Sequence, residues 1–135
     1  MTVMTLKSNP NELNISDENL FDKLIDINNF KKIMPENISK FEIIDSNTFI
    51  FSLKGMPEIK LIFGKKKSPS LIILNSSESK ISFSLSAHIN KIDDNNCSFF
   101  LEFNGDLNPM IQMMVKTPLQ TFINDISKNT TSLIS

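Results

Sequence analysis

Hydrophobic positions change their period twice along the chain, dividing it into three stretches. In the first, Val3 and Thr5 are β-branched, and Leu13 and Ile15 alternate with Asn14. This predicts a strand broken near Pro10. Ser16 then suits a helix N-cap, with Asp17 and Glu18 in the first turn, where the helix dipole favours them. Ile15 and Leu20 are spaced as a hydrophobic staple. Leu20, Phe21, Leu24 and Ile25 form one stripe at helical spacing. Asn28-Asn29 interrupts it, and Phe30 to Met34 predicts a second short helix stopped at Pro35.

From Lys40 to Leu107 the period is two. Phe49, Phe51 and Leu53 alternate with Thr48, Ile50, Ser52 and Lys54. Gly55-Met56-Pro57 marks a turn. Ile59, Leu61 and Phe63 alternate with Lys60, Ile62 and Gly64, and Lys65 to Pro69 reads as a solvated turn. Leu71 to Leu74 is a short apolar strand whose inward face the pattern leaves open. Ile81, Phe83, Leu85, Ala87 and Ile89 share one face; Lys80, Ser82, Ser84, Ser86, His88 and Asn90 share the other. After the turn at Asp93-Asp94-Asn95-Asn96, Phe99, Leu101 and Phe103 oppose Phe100, Glu102 and Asn104. Successive strands with short turns predict an antiparallel meander with one wet and one apolar face.

The third stretch returns to helical spacing. Asn108 can cap, and Pro109 sits at the first helical position, where its missing N–H is harmless. Met110, Ile111, Met113, Met114 and Val115 make an unusually apolar turn and a half. Thr117-Pro118 interrupts, so Pro118 either kinks one long helix or begins a new one capped by Thr117. Leu119, Phe122, Ile123 and Ile126 continue one face. The polar tail from Ser127 to Ser135 is expected to fray. No repeat or linker shows, so residues 1–135 read as one domain.

Composition narrows the chemistry. The chain has 135 residues, 40% hydrophobic and 21% charged, with a formal net charge of −1. That is the profile of an ordinary globular protein. All 14 basic residues are Lys; Trp and Tyr are absent and Phe occurs 11 times. One Cys and one His cannot build a Cys/His zinc site, and a lone Cys cannot form an internal disulfide. Bidentate Arg recognition of phosphate is excluded, and near-zero charge gives no reason to expect nucleic acid. The abundant Asn, Lys and Ile fit an AT-rich genome, so the missing residue types limit the chemistry without being selected features. The first nine residues are too short and polar for a signal peptide, and no run approaches the ~20 apolar residues of a membrane span. A reducing, cytoplasmic location is expected.

The element order is a strand, two short helices, about six antiparallel strands and a long C-terminal helix. A curved sheet must cover its apolar face, and only the last helix is long enough to do so. This predicts an α+β helix-grip fold of about 6–7 strands, an order built on the alternation described above. The chain here resembles the START-like superfamily, also called SRPBCC, of polyketide cyclases/dehydrases and lipid-transfer proteins. The resemblance rests on the Ser16 helix start, NNFKKIMPE at Asn28–Glu36, FSLKGMPEIKL at Phe51–Leu61 and GDLNPMIQMMVKTPLQTFI at Gly105–Ile123. It covers nearly the whole chain, and the NPM…KTPL segment is similar to small uncharacterised bacterial members of Bacteroidetes type. It implies a cavity between sheet and C-terminal helix that often holds an apolar ligand.

The candidate pocket is Phe49, Phe51, Phe83, Leu85, Phe99, Leu101, Met110 and Met114, with Thr117 and Pro118 as a hinge for a gate at Met110–Val115. Phe offers area without a polar handle and Met adapts its shape, so a lipid-like or polycyclic guest is expected. The same residues would look identical if they simply filled the core. His88 alternates to the polar face and reads as a surface histidine unless an upstream β-bulge turns it inward. Cys97 has no His expected beside it and reads as a buried thiol. Asp45, Glu58, Glu102 and Asp106 are the carboxylates weighed for acid–base work. Lys65-Lys66-Lys67 reads as a solvated tip, with docking to anionic lipid as the sharper alternative.

The leading expectation is non-catalytic binding of a small hydrophobic ligand, without cofactor, metal, nucleic acid or stable membrane insertion. A cyclase/dehydrase-type enzyme is the second reading. The Arg, Tyr and Trp that the resemblance associates with such pockets are all missing here. A protein-interaction module with a filled core is the third, and Ile50, Ile62 and Phe100 on the wet face would serve it or a homodimer contact.

Overall fold

In the computed structural model, which describes residues 2–77 and 82–134, the chain builds one eight-stranded antiparallel sheet. Strands β1 (Thr2–Lys7) and β2 (Asn11–Leu13) both pair with β8 (Asn96–Leu107). The break between them falls at Ser8–Pro10, as Pro10 predicted. It is bridged by the Ser8 N–H donating to the Leu101 carbonyl and the Leu101 N–H donating to Ser8 Oγ, each at 2.8 Å. The buried Leu101 N–H thus keeps a partner where the regular ladder fails.

Ser16 Oγ accepts from the Asn19 N–H and starts α1 (Asp17–Leu24); Leu20, Phe21 and Leu24 are its buried face. The second helix, α2 (Ile27–Ile33), starts earlier than the sequence pattern suggested. Asp26, not the Asn pair, marks the break, because its carboxylate accepts from the Asn28 N–H and caps α2. Asn28 and Asn29 lie inside the helix on its polar side, and Pro35 follows its end. Since the first strand is split, the two helices follow the second strand instead of the first.

The meander then runs through β3 (Ile38–Asp45), β4 (Thr48–Leu53), β5 (Ile59–Lys67), β6 (Leu71–Ser77), β7 (Phe83–Asp93) and β8. Spatial order is β1-β8-β7-β6-β5-β4-β3, leaving β3 as an open edge. Alternation placed the inward faces of β4, β5, β7 and β8 as found: Phe49, Phe51, Leu61, Leu85, Leu101 and their like are buried. For β6 the structure decides the face that the sequence left open. Ile72 and Leu74 point inward, paired with Ala87 and Leu85. Ile81 and Lys80 lie outside the described residues. Lys65 to Lys67 are not a turn but the exposed end of β5, and the reversal is made by Ser68–Ser70. At the β4–β5 turn, Gly55 has φ +83°, a conformation that favours glycine, and the Met56 N–H closes the turn onto the Leu53 carbonyl.

One helix, α3 (Pro109–Asn129), covers the concave face. Asn108 Oδ1 accepts from the Ile111 N–H, so the predicted cap holds. Pro118 neither ends α3 nor begins another helix; Thr117 is an exposed helical residue, not a cap. The tail does not fray at Ser127. The helix runs to Asn129 and passes into a 3-10 turn at Thr130–Leu133, where Ser127, Thr130 and Leu133 are buried. Hydrogen bonds explain this: Thr130 Oγ1 donates to the Ile126 carbonyl, and Asn129 Nδ2 donates to the Ile33 carbonyl of α2.

Candidate functional site

The two halves of α3 are held very differently. After Pro118, Leu119, Phe122, Ile123, Ile126 and Ser127 are buried; before it only Val115 is. The later half is also pinned to the β1–β2 break by polar contacts. Gln120 Nε2 donates to the Lys7 carbonyl, Asn9 N–H donates to Asn124 Oδ1, and Ser127 Oγ donates to the Asn9 carbonyl, at 2.8 to 3.0 Å. The earlier half carries Met110, Met113 and Met114 at 74%, 84% and 69% exposure. Pro118 sits on the border. Without an N–H it cannot donate to the Met114 carbonyl four residues back, which loses its helical partner.

Between the first half of α3 and the β4–β5 turn lies a groove of about 520 Å³. Lys54, Gly55, Met56 and Pro57 form one wall, and Ile111, Met114, Val115 and Pro118 form the other. The lining is apolar apart from Lys54, its one ionisable side chain. Volume and lining fall within the range of small-molecule sites.

This is not the Phe-lined space that the sequence suggested. Phe49, Phe51, Phe83, Leu85, Phe99 and Leu101 are all buried in the core and do not line the groove. Three of the rings stack on other phenylalanines: Phe51 on Phe122 of α3 at 5.0 Å between centroids, Phe49 on Phe41 at 5.1 Å, and Phe83 on Phe103 at 4.9 Å. Met114 does line the groove, and so does Pro118. Met110 projects into solvent and Thr117 is exposed, so neither does. The physical reason is helical phase. Met110, Met113 and Thr117 lie on the face of α3 opposite Val115, Leu119, Phe122 and Ile126, so they point away from the sheet. Lys54, Gly55, Met56, Pro57, Ile111 and Val115 were missed as site residues. The available signal was an apolar Met56 between Gly and Pro in a segment otherwise read only as a turn.

Other candidates separate cleanly. His88 lies on the outer face as alternation required, and the irregularity in β7 falls downstream of it, at Lys91–Asp93. It is half-buried: Nε2 lies 3.0 Å from Glu102 Oε1, and its ring stacks on Phe100 at 4.6 Å. Asn104 and Thr5 extend this polar row across the sheet. Glu58 instead pairs with Lys40 at 2.8 Å, a hydrogen bond that raises the Lys40 ammonium above its ordinary pKa. Asp45 accepts from the Asn47 N–H, and Asp106 is exposed. Cys97 is a buried free thiol; burial first, and the Asp17 carboxylate second, push it up to about 11. It is a poor nucleophile in that setting. Lys66 Nζ lies 4.7 Å over the Phe63 ring while Lys65 and Lys67 are exposed. Ile50, Ile62 and Phe100 are half-buried on the outer face. Among the described residues no His/Cys/Asp/Glu group is arranged to hold a metal, and no helix is long and apolar enough to cross a membrane.

No family model matches the chain, and no curated protein sequence matches it. Solved structures do. Norcoclaurine synthase from Thalictrum flavum superposes with a TM-score of 0.78 at 12% identity, covering 98% of this chain and 87% of that one. A conserved protein from Geobacillus kaustophilus gives 0.71 at 17% identity, covering 97% and 95%. The protein XoxI from Bacillus cereus gives 0.73 at 9% identity, covering 98% and 95%. At such identities the likeness is one of fold, and it extends over 97–98% of this chain. The chain has the helix-grip fold.

Proposed function

We propose that the protein binds a small hydrophobic ligand, without transforming it, in the groove between the β4–β5 turn and the first half of α3. The observation that carries this reading is the lining: an open apolar space with a single ionisable side chain. General acid–base chemistry asks for at least two positioned groups, and Lys54 alone does not supply them. The fold supports a binding role, since one of its neighbours is a norcoclaurine synthase solved with dopamine and hydroxybenzaldehyde. Burying ~200 Å² of a guest's apolar surface is worth ~5 kcal/mol before the costs of association. The flexible side chains of Met56 and Met114 suit guests of varied outline. A cytoplasmic setting and the small bacterial subgroup suggested by NPM…KTPL belong to this proposal.

The test is a neutral fluorophore such as Nile red, displaced by decanol. The wild-type chain is expected to bind one equivalent. Ile111→Trp, which fills the groove from a half-buried position, is expected to weaken binding at least tenfold with an unchanged melting temperature. Equal affinity in both proteins sinks the assignment.

Thr117-Pro118 enters the proposal as the hinge of a gate. The Met114 carbonyl released by Pro118 leaves the first half of α3 with one fewer constraint. Pro118→Ala restores that hydrogen bond and is expected to slow amide exchange from Ile111 to Thr117. Bound ligand is expected to do the same in the wild type. Unchanged exchange in both cases removes the gate.

A second reading has one observation in its favour. The exposed side chains of Met110, Met113 and Met114 form an apolar patch beside the groove that an interaction module would use. A bound partner protein in native mass spectrometry would favour it.

A further inference from the structure

Resting on the groove as a ligand site, we infer that its ligand is an anionic amphiphile, an alkyl chain ending in a carboxylate or similar acidic group, with that head taken by Lys54. The groove contributes one charge, the Lys54 ammonium at the turn wall. Among the described residues Lys54 makes no ion pair, whereas Lys40 and Lys91 are paired with Glu58 and Asp94. No carboxylate lines the groove, so a cationic head would meet only the like charge of Lys54. The helix wall has the opposite character. Ile111, Met114, Val115 and Pro118 carry no charge. The two walls thus orient the guest: acid on the turn side, chain against Ile111, Val115 and Pro118.

Partial exposure keeps the Lys54 contribution modest, since solvent screens a charge at a groove rim. A preference of about tenfold for the acid over the alcohol of equal chain length is expected, corresponding to ~1.4 kcal/mol. It should shrink as salt rises, because the alkyl contacts do not depend on ionic strength and the ion pair does.

The experiment is calorimetric titration of the full chain with decanoate, decanol and decylammonium, for the wild type and Lys54→Gln. Decanoate is expected to bind about tenfold tighter than decanol, and decylammonium weakest. Lys54→Gln should erase the advantage of decanoate over decanol. Lys54 lies in an exposed turn, so the variant is expected to fold normally. Equal binding of all three ligands, or a decanoate preference that survives Lys54→Gln, overturns the headgroup assignment and leaves the groove as an apolar site. Binding of none of the three overturns the groove itself.

Discussion

Phe51→Ala is expected to cost about 3–5 kcal/mol of folding stability, the range for a large aromatic removed from a packed core. Phe51 is 1% exposed and joins two parts of the fold. Its ring lies parallel to Phe122 of α3, with 7° between planes, and adjoins Phe49 at 6.1 Å. Phe49 in turn touches Phe30 of α2 and Phe41 of β3. The substitution therefore opens a cavity where sheet and helix meet, at a point neighbours cannot easily fill. Against a total of about 5–15 kcal/mol for a typical domain, that is a large share. Phe41→Ala is the control. Phe41 is half-buried on the edge strand, so its loss is expected to cost less than half as much. Urea unfolding followed by circular dichroism measures both. Equal effects at the two positions would contradict the picture of a helix held by its second half.

The second large effect concerns alkaline pH. Cys97 is fully buried on β8, and its thiol is pushed from an ordinary 9.0 to about 11, chiefly by desolvation. The folded-state pKa is raised, so the neutral thiol's contribution to stability is complete below pH 9. Above that the unfolded chain ionises while the folded one does not. Stability is then lost at up to ~1.4 kcal/mol per pH unit, about 2–3 kcal/mol by pH 11. Alkaline pH acts on more than one group, so the diagnostic quantity is a difference. Cys97→Ala, weaker at pH 7 from lost packing, should fall less steeply than the wild type between pH 9 and 11. Parallel curves under reducing conditions would falsify the assignment of a desolvated thiol.

Local chemistry made much of the fold legible in the sequence. Ser16, Asn108 and Pro109 act where their side chains act in any helix, on N–H groups within one turn. Alternation placed Phe49, Phe51, Leu85 and Leu101 on the inward face because a strand's side chains alternate whatever lies opposite. The same rule put His88 outside, and burial of Cys97 followed from its place in the series Cys97, Phe99, Leu101. Where local signals misled, a nearby residue competed. Asp26, not the Asn pair, divides the two short helices, and Asn129 and Thr130 held down a tail that composition read as loose.

The sequence by itself determined the type and order of most elements and the apolar face of β4, β5, β7 and β8. Those properties follow from backbone sterics and side-chain period, which are local. Only the tertiary structure decided what that face meets. Phe51 meets Phe122, 71 residues later in the chain, ring against ring. Met110 and Met114 have the same apolar character as Leu119 and Ile123, yet they fall on the side of α3 turned away from the sheet and are exposed. The groove exists because a turn at Lys54–Pro57 comes to rest beside that ungripped half, and no periodicity encodes the distance between two such distant segments.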